Sequence, residues 1–287
     1  MHKKINCLLL LFISTVLSAQ PIKIVAAENF YGDIASQLGE PYVQVISILS
    51  NPNQDPHLFS TSPSTAKAIA DANLIIYNGI NYDAWMDTLL KPFSNQHKAV
   101  IVVANLMHKK PGDNPHIWYN PNTMLTYSRD LIEKLNQLDP VHADYYQRRF
   151  NVFKQQYDEF LHKISQLKRQ CQGTPVIATE PIFNEMADAL GLVMYGNDFQ
   201  LSVMNETEPS AKEILDFQDK LAKKLVNVLI YNSQVINPLT EKIKNFAKKN
   251  GIAIVGITET QPAKQDYLNW MNQQLDNLTY QQCGHSS

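Results

Sequence analysis

The stretch spanning residues 140–171, which carries no glycine and no internal proline, constrains this chain more than any other. Its apolar residues Tyr146, Phe150, Phe153, Tyr157, Leu161, Ile164 and Leu167 recur three or four positions apart. A helix with one buried stripe on a 3.6-residue period requires that spacing. At 1.5 Å of rise per residue such a segment is a rod of roughly 45 Å, longer than a small domain is wide. It must therefore join two bodies. Strand-like and helix-like runs alternate on both sides of it. The expected fold class is accordingly α/β, with two lobes, each a parallel-type sheet flanked by helices, joined by one long helical spine. A coiled-coil arm is the weaker alternative, because the heptad pattern does not persist. A site is expected in the cleft between the lobes.

The division that follows is a leader over 1–19, an N-terminal lobe over 20–139, a linking helix over 140–172 and a C-terminal lobe over 173–287. A chain of 287 residues, 44% hydrophobic, has material for two such cores. Its formal charge of −2 offers no footprint for nucleic acid or an anionic membrane surface. The leader has the build of a secretory signal: Lys3 and Lys4, an apolar run to Val16, then small residues ahead of Gln20. That run is short for a membrane span. Cys7 lies at its beginning, whereas a lipid-modified cysteine would follow it. The expectation is a monomer exported to the periplasm and not a lipoprotein. Cys171 and Cys283 remain after cleavage, and in an oxidising compartment they could pair, an open question because two lone cysteines carry no spacing signature.

Strands are expected at 22–26, 43–49, 74–77, 100–104, 175–179, 226–231 and 252–257, with 197–209 as a connecting loop. Trp85 and Trp270 read as core residues. Neither a dinucleotide-type glycine fingerprint nor a P-loop is present.

In open α/β sheets, ligands bind at loops following the carboxyl ends of strands. The polar residues at those places are Glu28, His57, His116, Glu180 and Glu259. Two imidazoles and two carboxylates, His57, His116, Glu180 and Glu259, suit a divalent transition metal. Pro56 and Pro115 stiffen the chain before each histidine and Pro181 after Glu180, which favours preorganised ligands. The same residues also fit blander readings: solvated loop histidines, a helix-start carboxylate at Glu180, a surface carboxylate at Glu259.

The blocks Asp55-Pro56-His57 and Asn114-Pro115-His116-Ile117-Trp118-Tyr119-Asn120-Pro121, the spine, and Val176 to Glu180 with Phe183 and Leu190-Gly191-Leu192 resemble the metal-binding solute receptors of bacterial zinc, manganese and iron ABC importers. The resemblance covers essentially the whole mature chain. It implies a protein that captures a divalent cation outside the inner membrane and hands it to an ABC permease. It also implies that His57 and His116 are N-lobe ligands, that Glu180 stands where zinc members commonly place histidine and manganese members glutamate, and that Glu259 stands near the usual aspartate. The acidic residue often found after the third strand of the rear lobe is replaced by Asn232-Ser233-Gln234. Glu28 is expected to line the cleft and bond a ligand histidine, with Trp118 and Phe183 as a dry wall. Exchanging an imidazole for a carboxylate hardens the site, which ranks Mn²⁺ or Fe²⁺ above Zn²⁺ as cargo, although zinc binds most such sites more tightly. Two other readings stay open: a secreted metallohydrolase with a three-ligand metal, in which Glu28 is a general base, and a surface adhesin.

Overall fold

Eight short strands and eleven helices follow one another in the computed structural model, which describes residues 20–51, 59–93, 98–205, 207–235 and 237–282. His57, Cys7 and Cys283 fall outside the described residues, and with Cys283 any pairing of Cys171, itself buried, does too. The first half runs β1 (Ile22–Glu28), α1 (Asn29–Gly39), β2 (Val43–Leu49), α2 (Pro63–Asp71), β3 (Leu74–Tyr77), α3 (Ala84–Leu90), β4 (Ala99–Val102), α4 (Val103–Leu106) and α5 (Thr123–Leu138). After the spine α6 (Ala143–Cys171) come β5 (Pro175–Ala178), α7 (Asn184–Ala189), β6 (Val193–Tyr195), α8 (Asn197–Met204), α9 (Ala211–Ala222), β7 (Val228–Asn232), α10 (Pro238–Lys249), β8 (Ala253–Ile257) and α11 (Tyr267–Gln282).

Each lobe holds one four-stranded sheet, and every strand pair in both is parallel. The orders, β2-β1-β3-β4 and β6-β5-β7-β8, are the same winding used twice. Helices cover both faces, so the central strands read as unbroken apolar runs; all four residues of β3 are buried. Helix starts follow local chemistry. Ser62 accepts the amide of Thr65 ahead of Pro63, and Ser210 and Glu213 form a reciprocal capping box at α9.

The spine begins at Ala143 because Pro140–His142 forms a separate 3₁₀ turn. Its buried face is Tyr146, Phe153, Tyr157, Phe160, Ile164, Leu167 and Cys171. Phe160, absent from the stripe read in the sequence, is buried, while Phe150 and Leu161 pack only partly. α8 occupies the start of the stretch 197–209 that reads as loop, and β6 is a strand not among those expected. The strand is three residues at a sheet edge, and α8 starts on Gly196 at φ +79°, a left-handed turn that glycine adopts without strain. Trp270 is fully buried, whereas Trp85 is half-buried against Phe59.

The lobes are not independent balls on a stick. α11 packs on β8, on the spine and on α1 of the opposite lobe. One apolar core runs through the junction and includes Phe30, Trp118 and Tyr119 from the front with Phe183, Tyr267 and Trp270 from the rear. The Trp270 ring lies 5.9 Å from that of Phe30 and 5.8 Å from that of Tyr119, and its Nε1 donates to Thr258 Oγ1 at 2.6 Å. At the rim, Lys109 and Asn120 of the front half both bond the Glu185 carboxylate of the rear half.

Because the core is continuous, urea should unfold both lobes in one transition, and Trp270→Ala should lower stability by about 3–5 kcal/mol, the cost of truncating a buried aromatic. Circular dichroism read against intrinsic fluorescence checks this; two separate transitions in the unmutated protein would show the junction to be weak.

Candidate metal site

In each sheet the winding reverses beside the first strand of the lobe, between β1 and β3 in front and between β5 and β7 behind. Crevices at such switch points are where open α/β sheets bind ligands. β5 leads into Glu180, β7 ends at Asn232, and β8 leads into Glu259. His116 comes from the other lobe, on the loop between α4 and α5. These side chains meet in the cleft.

His116 is almost wholly buried. Asn114 Oδ1 lies 2.7 Å from its Nδ1 and also accepts its backbone N–H at 3.1 Å. The Asn114 amide cannot be turned around, since its Nδ2 donates to Pro181 O at 2.7 Å. The oxygen must therefore face the imidazole, which places the ring proton on Nδ1 and the lone pair on Nε2, the tautomer a metal ligand needs. Nε2 points to Glu259 Oε1 at 3.7 Å. The Trp118 ring, fully buried, stands 5.3 Å from the imidazole, and Phe183 is equally buried.

Glu180 is half-buried, and Glu259 is 6% exposed. One nitrogen joins them: Asn232 Nδ2 donates to Glu180 Oε2 at 3.1 Å and to Glu259 Oε2 at 2.9 Å. Asn232 Oδ1 accepts the Gln234 amide at 3.0 Å. Gln234 in turn pins the β8 loop, its Oε1 accepting from the backbone of Glu259 and of Thr260, each at 2.8 Å. The turn after β7 thus holds the turn after β8.

Beneath the site lies a buried acid pair. Burial, and then the neighbouring Asp83 carboxyl, push Glu28 well above the usual carboxylate range. Burial raises Asp83 to about 6, opposed by hydrogen bonds from the backbone N–H groups of Gly79 and Asn78. Tyr82 stands over the pair; burial first, then Glu259, Glu28 and Asp83, lift its phenol well above the ordinary value. It is Asn114, not Glu28, that bonds His116.

His116, Glu180 and Glu259 therefore line one cleft of about 750 Å³, together with Val203, Met204 and Ile214. Among the described residues no three His, Cys, Asp or Glu side chains are already drawn together as a ready ligand set; the Asn232 amide sits between the two carboxylates. His57 lies outside the described residues. Asn114 had a visible signal, its place just before the Pro-His step. Asn232 and Gln234 stood out only as a departure from the acidic residue common at that place, and Tyr82 not at all; partners 52, 27 and 26 positions away join Asn232 and Gln234 only through the sheet.

A family model described as the periplasmic component A of the zinc-uptake complex, ZnuA, matches residues 24–280. The manganese ABC transporter substrate-binding lipoprotein PsaA of Streptococcus pneumoniae is 23% identical over 96% of this chain and 98% of that one. The metal ABC transporter substrate-binding lipoprotein SloC of Streptococcus mutans is 25% identical over 88% of each. Among solved structures, the periplasmic zinc-binding protein TroA of Treponema pallidum superposes with a TM-score of 0.76 at 16% identity, over 92% of this chain and 99% of that one. The fold is thus theirs: two parallel four-stranded sheets, flanking helices and the long helix between.

These relatives correct one expectation. PsaA and SloC are named lipoproteins, so the reading of this chain as exported without a lipid anchor does not stand. It rested only on the place of Cys7 in the apolar run, and one cysteine in a leader outside the described residues is no measure of membrane attachment.

Folding raises Asp83 to about 6 and Glu28 well above its ordinary value, so the native state holds more protons than the unfolded chain from about pH 4 through pH 6 and, because of Glu28, beyond it. The pair's contribution to stability is present below that window and is lost as pH rises through it. Glu28→Gln, a permanent donor to Asp83, should flatten the slope and raise stability at neutral pH. Urea midpoints of both proteins across the window decide; parallel curves would place the pH dependence elsewhere.

Proposed function

The chain belongs to the ZnuA family of periplasmic zinc-uptake components, and from that premise we propose that it captures a divalent transition-metal ion and delivers it to the permease of an inner-membrane ABC importer. The observation that carries this reading is the imidazole of His116, held with its Nε2 lone pair toward the Glu259 carboxylate in a cleft that Glu180 also lines. The proposed ligands are His116, Glu180 and Glu259, completed by His57. Four protein ligands close a metal's shell, whereas a catalytic metal keeps a position for water or substrate. The chain is accordingly a receptor and not a hydrolase.

Manganese or ferrous iron ranks above zinc as cargo. Two carboxylates are harder donors than the imidazole they replace, and oxygen-rich sites suit Mn²⁺. The manganese assignment in the name of PsaA supports the same ranking. Zinc will still bind the purified protein more tightly, as the Irving–Williams order requires.

Titration of metal-free protein should give one Zn²⁺ and, more weakly, one Mn²⁺ per chain, in competition. Glu259→Ala should reduce affinity by more than the ~10-fold lost when only an outer partner of a ligand is removed. A hydrolase would keep its metal in that variant and gain no explanation for the loss. Protein that takes up no Zn²⁺ at all would refute the ligand set.

A further inference from the structure

Asn232 is a neutral residue wedged between the two carboxylates, and its geometry does more than fill space. The side chain is 1% exposed, and its orientation is unambiguous: Oδ1 takes a backbone N–H from Gln234, so the NH₂ faces Glu180 and Glu259. Turned the other way, the amide oxygen would meet two carboxylates and the Gln234 N–H would lose its acceptor. Both hydrogens of the NH₂ are then used, one for each carboxylate, and each bond goes to Oε2. On Glu259 the other oxygen, Oε1, is the one turned toward His116 Nε2.

We propose that Asn232 is a positioning residue that sets how the carboxylates grip the ion: with each Oε2 tied to the amide, Glu180 and Glu259 each offer one oxygen. This rests on the metal-receptor reading above and goes beyond it. A carboxylate chelating through both oxygens would have to share Oε2 between the ion and the Asn232 N–H, which weakens that oxygen as a donor to the metal and favours binding through Oε1 alone. One-oxygen binding keeps the coordination number low, which suits the tetrahedral preference of Zn²⁺ and disfavours the six-coordinate oxygen shell of Mn²⁺. The amide therefore works against the hardness of the donors it holds. Selectivity is set by the opposition of the two, and Asn232 is the residue through which it can be shifted without touching a ligand.

The test uses the metal-free full chain with Co²⁺, Zn²⁺ and Mn²⁺ as probes. Bound Co²⁺ should show the intense visible absorption of a low-coordinate site. In Asn232→Ala the band should weaken as the carboxylates close on the metal through both oxygens, with Zn²⁺ affinity falling about 10-fold and Mn²⁺ affinity falling less. A merely structural loss would weaken both ions alike and leave the spectrum unchanged, and either of those results overturns the proposal. So does a six-coordinate Co²⁺ spectrum in the unmutated protein. Should the alanine variant not fold, Asn232→Ser, which retains a single donor, is read by the same two criteria. Failure of the unmutated protein to bind any of the three ions would overturn the receptor reading as well, which separates the two failures.

Discussion

Two tyrosine hydroxyls cross the junction and hold the rest in register. Tyr119, from the front lobe, donates to Thr258 O at 2.6 Å, and Tyr267, from the rear, donates to Trp118 O at 2.7 Å. Both rings are fully buried in the shared core, so each bond is made in a low-dielectric setting where an unmet partner would be costly. Thr258 immediately precedes Glu259, and Trp118 follows His116 by two positions. The same contacts that join the lobes thus place a ligand candidate from each. A helix alone would fix only the distance between the lobes; the aromatic seam fixes their angle.

The electrostatics follow from that seam. Carboxylates gathered in a cleft repel one another and lose part of their hydration, and the chain answers in two ways. Between Glu180 and Glu259 it supplies one amide donor, the Asn232 NH₂, to both carboxylates. At Glu28 and Asp83 burial raises both carboxyls, which favours the neutral form. The first arrangement leaves the other oxygen of each carboxylate available to a cation.

Much of the architecture was legible before any coordinates. Period-3.6 spacing in the spine and unbroken apolar runs in β3 and β7 are local signals, and the alternation of the two implies parallel sheets. The Pro-His step that delivers His116 and the strand-end position of Glu180 were equally local. What escaped was of two kinds. β6 and α8 are too short for periodicity to register, and a three-residue edge strand is specified by its neighbour β5 more than by its own residues. The bonds of Asn232 and Gln234, and the partnership of Glu28 with Asp83, depend on which strand ends lie side by side. No spacing along the chain encodes that.

Asn114 spans the cleft with its two ends. Its oxygen sets the imidazole of His116, and its nitrogen grips the carbonyl of Pro181, next to Glu180. Parting the lobes by the length of one hydrogen bond would strip the amide of its anchor, and with it the restraint on which ring nitrogen carries the proton.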